Sequence, residues 1–116
     1  MTSTFVRRSG ACLALLLGIV IAGCGDDPAG PSQTGAVDVN DFEFDPDNIV
    51  VEGGGMVTWT WTGVEDHNVT FADASITDSP TQTSGTFSAT MPTTPGTYTY
   101  QCTVHPVVMN GSVQVQ

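Results

Sequence analysis

Gly96-Thr97-Tyr98-Thr99-Tyr100-Gln101-Cys102-Thr103-Val104-His105-Pro106-Val107-Val108-Met109 is the stretch on which the fold of this 116-residue chain turns. Its first half alternates strictly. Tyr98, Tyr100 and Cys102 fall on one side and Thr97, Thr99 and Gln101 on the other, which is the two-residue period of a half-buried β-strand. Cys102 thus points inward from a strand end. Outward from here the same kind of short run recurs, split by turn residues. Residues 56–62 put Val57, Trp59 and Trp61 on one face and threonines on the other, and residues 110–116 put Val113 and Val115 inward. Further strands are expected over residues 36–40, 49–51, 67–71 and 86–91, with a turn at Gly53-Gly54-Gly55 and a long polar connection over residues 72–83. Val37 and Val39 share one parity while Phe42 and Phe44 take the other, so a bulge or sharp bend is expected near Asn40 and Asp41. No helix-length periodic segment stands out. The pattern predicts an all-β Greek-key sandwich or barrel of about seven to eight short antiparallel strands. An immunoglobulin-like domain would read the same way by strand count alone.

The second half of the quoted stretch separates the two. Cys102, His105 and Met109, read with His67 upstream, supply one thiolate, two imidazoles and one thioether, and His67 and His105 are the only histidines in the chain. Imidazole suits copper(II) and soft sulfur suits copper(I), so this mixed set fits a metal that shuttles between the two states, as in a blue copper site. Two other readings of Cys102 stand beside this one. A zinc half-site is the first, although structural zinc sites usually carry more than one thiolate. An inert core cysteine is the second, and His105 three residues on argues against it. Met109 also reads as a plain core methionine, and Val107 and Val108 as core or as exposed surface. Asn68 has an ordinary polar reading as well. Trp59 and Trp61 read as packing residues, and the carboxylates, Asp66 beside His67 included, as solvated charge.

Residues 36–116 resemble the small cupredoxins, through the Cys-x-x-His-x-x-x-Met loop at Cys102 to Met109, the His67-Asn68 pair and the Tyr98-x-Tyr100-x-Cys102 strand. The loop is most similar to the plastocyanin and amicyanin group, except that three residues separate His105 from Met109 where that group has two or four. The resemblance implies one copper ion, held trigonally by His67, Cys102 and His105 with Met109 as a weak axial ligand. It implies that Asn68 orders the loops around the sulfur. It also implies that His105 is the exposed ligand, with Pro106, Val107 and Val108 forming an apolar docking patch through which electrons pass.

Residues 1–23 read as an export signal. Arg7 and Arg8 precede an apolar run over residues 11–22 that falls well short of the about 20 residues a membrane span needs. Ile21-Ala22-Gly23-Cys24 looks like a bacterial lipoprotein box, which implies cleavage before Cys24 and lipid on its sulfur; a plain signal peptide with a coincidental Cys24 is the other reading. The twin-arginine route is less favoured, because Ser9-Gly10-Ala11 lacks a hydrophobic residue in the expected place. Residues 24–35 then form a lipidated cysteine and a flexible tether reaching roughly 15 to 20 Å. With Cys12 lost and Cys24 lipidated, Cys102 has no disulfide partner. In an oxidising envelope compartment a lone thiol is a liability unless a metal holds it.

These features make a membrane-tethered one-electron carrier of the cell envelope the leading expectation. Copper storage or delivery without a primary redox role is the alternative, though delivery usually favours exposed sulfur-rich sites. An enzyme is not expected, since catalysis would need an open coordination position or a second metal and no histidine remains to bind one. A metal-free adhesion module leaves the histidines and the thiol unexplained.

All twelve acidic residues lie between Asp26 and Asp78, and removing Arg7 and Arg8 takes the formal charge from −10 to −12. A monomer with a cationic redox partner, such as a c-type cytochrome or a terminal oxidase, and no nucleic-acid partner is the corresponding expectation. A saline habitat and a simply well-solvated surface are the other readings of the charge. Carboxylates without Lys or Arg repel one another in the compact state. The melting temperature of the mature chain is therefore expected to rise from low to moderate salt, and a flat or falling trend would contradict this.

Overall fold

The computed structural model describes residues 32–116, so the expected signal over 1–23, Cys24 and the expected tether up to residue 31 lie outside the described residues. Seven strands make up the described chain: β1 (Ser32–Asn40), β2 (Glu43–Asp45), β3 (Asn48–Trp61), β4 (Thr70–Phe71), β5 (Gly85–Thr90), β6 (Gly96–Gln101) and β7 (Asn110–Val115). No helix is present among the described residues. The strands join in the order β2-β1-β3-β7-β6-β4, with β5 also on β3. The all-β expectation holds.

The organising element is β3, which runs unbroken for 14 residues where the sequence pattern suggested two strands and a turn. Its first half pairs with β7, Asn48 opposite Ser112 to Val51 opposite Val115. Its second half pairs with β1 on one side and β5 on the other, Trp59 lying between Val37 and Phe87. The three glycines turn the strand from one set of neighbours to the other without ending it. Gly54 has a φ of 78°, which favours glycine, and the Gly53 and Gly54 amides donate to the carbonyls of Gln116 and Pro92. One strand thus serves two layers. The β1–β3 and β3–β7 pairs are parallel, which corrects the expectation of a wholly antiparallel set. Parallel neighbours need crossover connections, and the chain makes them by passing between layers.

β1 begins at Ser32, so residues 32–35, read as tether, are part of the sheet instead. Thr34 and Gly35 pair with Met56 and Val57 of β3, and the packing at Gly35 is so close that a Cβ would come 2.8 Å from Ile49 Cδ1. The expected bend after Asn40 is a two-residue hairpin turn: Asn40 pairs with Glu43, and Phe42 adopts a φ of 72°. Phe42 and Phe44 part company there. Phe44 enters the core, and Phe42 stays exposed.

The core sits between the layers. Trp59, fully buried, meets Phe71 and Tyr100 of the facing layer with ring centroids 5.7 and 5.4 Å apart, and Phe44 meets Tyr100 at 4.8 Å. Such edge-to-face aromatic contacts add about 0.5 to 1.5 kcal/mol each beyond burial. The expected strand over 67–71 is shorter, only Thr70 and Phe71 pairing with β6. The connection after it folds back and takes over the remaining bonds. Val69 N–H donates to Ser79 Oγ at 2.7 Å, Phe71 N–H donates to Asp78 Oδ1 at 2.8 Å, and Ile76 is buried as a plug.

Tyr100 Oη and Trp59 Nε1 are buried with no well-formed hydrogen bond to either, and burial pushes the Tyr100 phenol up to about 12 from 10.0 against the lowering effect of the Trp59 indole beside it. A pKa raised on folding gives stability that is complete below the unfolded value and lost as pH rises through the folded one. Stability is therefore expected to fall between pH 10 and about 12, and Tyr100→Phe should weaken that fall. At neutral pH the same change removes the buried hydroxyl together with a polar neighbour of the Trp59 indole N–H, so stability there should change by less than about 1 kcal/mol in denaturant titration.

Candidate metal centre

The site lies where the end of β3, the end of β6 and the segment carrying His67 converge. His67 is placed by its backbone. Its amide donates to Gln82 O and its carbonyl accepts from Gln82 N–H, each at 3.0 Å. The indole N–H of Trp61, the last residue of β3, donates to the same carbonyl at 3.1 Å. Trp61 is thus more than packing. A core strand end fixes the height at which the imidazole enters the interior.

Cys102 follows β6 directly and stays inward, as the alternation over 96–102 requires. The loop after it is braced by its own backbone: Cys102 N–H donates to Met109 O at 3.0 Å, His105 N–H to Cys102 O at 3.2 Å, and Met109 N–H to His105 O at 3.0 Å. The last of these bonds spans the three residues between His105 and Met109 as a single helical-type turn. The spacing that differs from the plastocyanin and amicyanin pattern therefore still returns Met109 to the interior, where it is fully buried.

Cys102 Sγ lies 3.9 Å from His67 Nδ1 and 3.8 Å from His105 Nδ1, and the three donor atoms lie within 4.8 Å of one another. Bonds of about 2.3 Å to sulfur and 2.0 Å to nitrogen at trigonal angles would put sulfur and nitrogen ~3.7 Å apart. The donor set therefore fits one metal ion. His67 and Cys102 are fully buried and His105 half-buried, so the site is dry on one side and reaches the surface on the other.

Asn68 bridges the two segments. Its Nδ2 donates to Thr81 Oγ1 at 2.9 Å and Thr103 Oγ1 at 2.8 Å, and its Oδ1 accepts the Thr103 amide at 2.9 Å. Its partners are Thr103 beside Cys102, Thr81, and Thr70, whose hydroxyl donates to Oδ1 at 3.1 Å, and not the sulfur itself. Val107 is 89% exposed and Val108 61%, so neither is core. Pro106 is exposed as well.

Two residues at the site were not singled out in the sequence. Asp41 Oδ1 accepts the Nε2–H of His67 at 3.0 Å, while Asp66, the sequence neighbour of that histidine, is exposed. The amide of Glu65, the His67 ring and the amide of Val64 hold the Asp41 carboxyl below its ordinary range. Phe42 lays its ring edge-on to both imidazoles, 4.8 Å from His105 and 6.3 Å from His67. The only trace of either in the sequence is the parity switch after Asn40, since both residues sit in the turn that it marks.

Comparison with known proteins agrees with this geometry. A family model described as copper binding proteins, plastocyanin/azurin family, matches residues 32–116. A plastocyanin of Dryopteris crassirhizoma is 31% identical over 96 residues, covering 68% of this chain and 93% of its own. The solved oxidised form of plastocyanin from that organism superposes with a TM-score of 0.62 at 28% identity, over 71% of this chain and 100% of the other. An amicyanin-alpha of Methylorubrum extorquens is 32% identical over 94 residues, with 77% of this chain and 75% of the relative covered. The chain belongs to the plastocyanin/azurin family of copper-binding proteins, small blue copper electron carriers built around one copper ion.

Proposed function

We propose that His67 Nδ1, Cys102 Sγ and His105 Nδ1 are the trigonal ligands of the copper ion and Met109 its axial ligand. The observation that carries this reading is the convergence of both histidine nitrogens on one buried sulfur at 3.8 and 3.9 Å. Bound there, copper supplies a one-electron couple. The chain does the rest: it holds the donors at fixed separations, binds through sulfur as thiolate, and excludes water from the His67 side. A fixed donor cage limits rearrangement between oxidation states, which is what fast electron exchange needs. Asn68 keeps the two donor segments in register.

Electrons enter and leave at His105, the ligand nearest solvent, with Pro106, Val107 and Val108 as the apolar contact for a redox partner. Their exposure supports this reading over a core role, and solvent-facing valines beside a redox centre have no packing use. The charge of the chain favours a cationic partner such as a c-type cytochrome or a terminal oxidase. Residues 1–23 direct export to the cell envelope, and lipid on Cys24 tethers a monomeric domain to a membrane.

The test is the visible spectrum of the chain from Gly25 to Gln116 with one equivalent of copper(II). An intense sulfur-to-copper charge-transfer band is expected, bleached by a reductant and absent from Cys102→Ala; a colourless protein would refute the assignment. Val107→Lys should leave that band intact and slow electron exchange with a cationic cytochrome roughly tenfold, whereas loss of copper would return Val107 to the core. Asn68→Ala should lower the stability of the copper-free protein by about 2 kcal/mol in denaturant and weaken copper binding roughly 10-fold or more.

A further inference from the structure

We propose that Asp41 is a positioning residue for the copper couple. Its carboxylate holds the Nε2–H of His67, which leaves Nδ1 to face the metal, and its charge biases the site toward the oxidised state. This rests on the ligand assignment above and goes beyond it, because Asp41 lies 26 residues before His67 and touches no proposed donor atom.

The contact is built and not incidental. Asp41 Oδ1 accepts the Val64 amide at 3.0 Å and the Glu65 amide at 2.9 Å as well as the His67 ring at 3.0 Å, and Oδ2 takes a second bond from Val64 at 3.2 Å. Two backbone amides thus set the carboxylate in place independently of the ring. Gly63 makes room for it, since a Cβ there would come within 2.6 Å of Asp41 Cγ and 2.8 Å of its amide nitrogen. Val39 O also accepts the Thr62 and Gly63 amides, at 3.0 and 3.4 Å, which binds this segment to the end of β1. The turn is therefore clamped from both sides. Phe42, next in the chain, covers both imidazoles edge-on.

The chemistry follows from those placements. An imidazole that donates one N–H to a carboxylate is locked in a single tautomer, and its other nitrogen becomes a better donor to a metal. His67 is fully buried, and the described residues contain no Lys or Arg to offset the carboxylate. Its negative charge therefore acts across the ring on the metal with no opposing cation, damped by the solvent that reaches the partly exposed carboxylate. It favours the higher-charged copper(II) over copper(I), which lowers the reduction potential.

The experiment compares the copper-loaded protein with Asp41→Asn, which keeps an oxygen for the Val64 and Glu65 amides and removes the charge. The blue band should persist while the potential rises. A roughly tenfold shift of the redox equilibrium toward copper(I) is expected, about 59 mV for a one-electron couple. In the copper(I) form, proton NMR should show a slowly exchanging His67 Nε2–H that moves in Asp41→Asn. A loop clamp alone would move neither reading. An unchanged potential in a blue Asp41→Asn protein overturns the role of Asp41 and leaves the copper assignment standing. A colourless wild type overturns both. Should Asp41→Asn fail to fold, the wild-type resonance decides: its presence with slow exchange supports the proposal, and its absence overturns it.

Discussion

The burial of one sulfur atom between two imidazole nitrogens is the constraint on which the rest of this structure depends. Cys102 and Met109 are fully buried, and the sulfur is the one free cysteine among the described residues. A thiolate is poorly tolerated in an apolar interior unless positive charge or donors surround it. The core supplies aromatic rings and valines but no cation. A metal bound between the His67 and His105 nitrogens would let the sulfur carry that charge. The elements around the site then read as means of holding that separation. Trp61 ties the His67 carbonyl to β3, Asn68 ties the His67 segment to Thr103, and the Met109 carbonyl ties the ligand loop to Cys102.

Electrostatics give the domain its second constraint. Residues 32–116 hold ten carboxylates and no Lys or Arg, so acidic side chains have only backbone amides, hydroxyls, amide side chains and the His67 ring as partners. The chain uses them. Asp41 accepts two amides and the ring, Asp78 completes the β4 edge through Phe71 N–H, and Asp73 accepts the Ser75 hydroxyl and amide, which lowers its pKa. Carboxylates therefore serve as structural acceptors. Asp41 is where that use meets the candidate metal centre, because the same oxygen that closes a surface loop also reaches the buried ring of His67.

Much of the fold and site was legible because alternation and ligand chemistry are local. The strict parity at Val57, Trp59 and Trp61 and at Tyr98, Tyr100 and Cys102 marks inward faces wherever the chain is extended, and those residues are buried apart from the partly covered Tyr98. The histidines, the cysteine and the methionine stood out by residue type and by scarcity. The glycine run over 53–55 was misleading for a physical reason. Glycine permits a stop or a bend equally well, and the choice was made by the Gln116 and Pro92 carbonyls that capture its amides. The parallel pairs were hidden for a similar reason, since a strand carries no local mark of its neighbour's direction.

The sequence by itself determined the all-β class, the inward direction of Cys102, the candidate ligand residues and the uncompensated negative charge, because each is a property of residue type and near-neighbour spacing. Only the tertiary structure decided that β3 spans two layers, that Val107 and Val108 face solvent, that Trp61 anchors His67 and that Asp41 rather than Asp66 meets its ring. Each of those pairings joins groups that chain closure brings together from distant positions or turns toward solvent, and spacing along the chain carries no record of them.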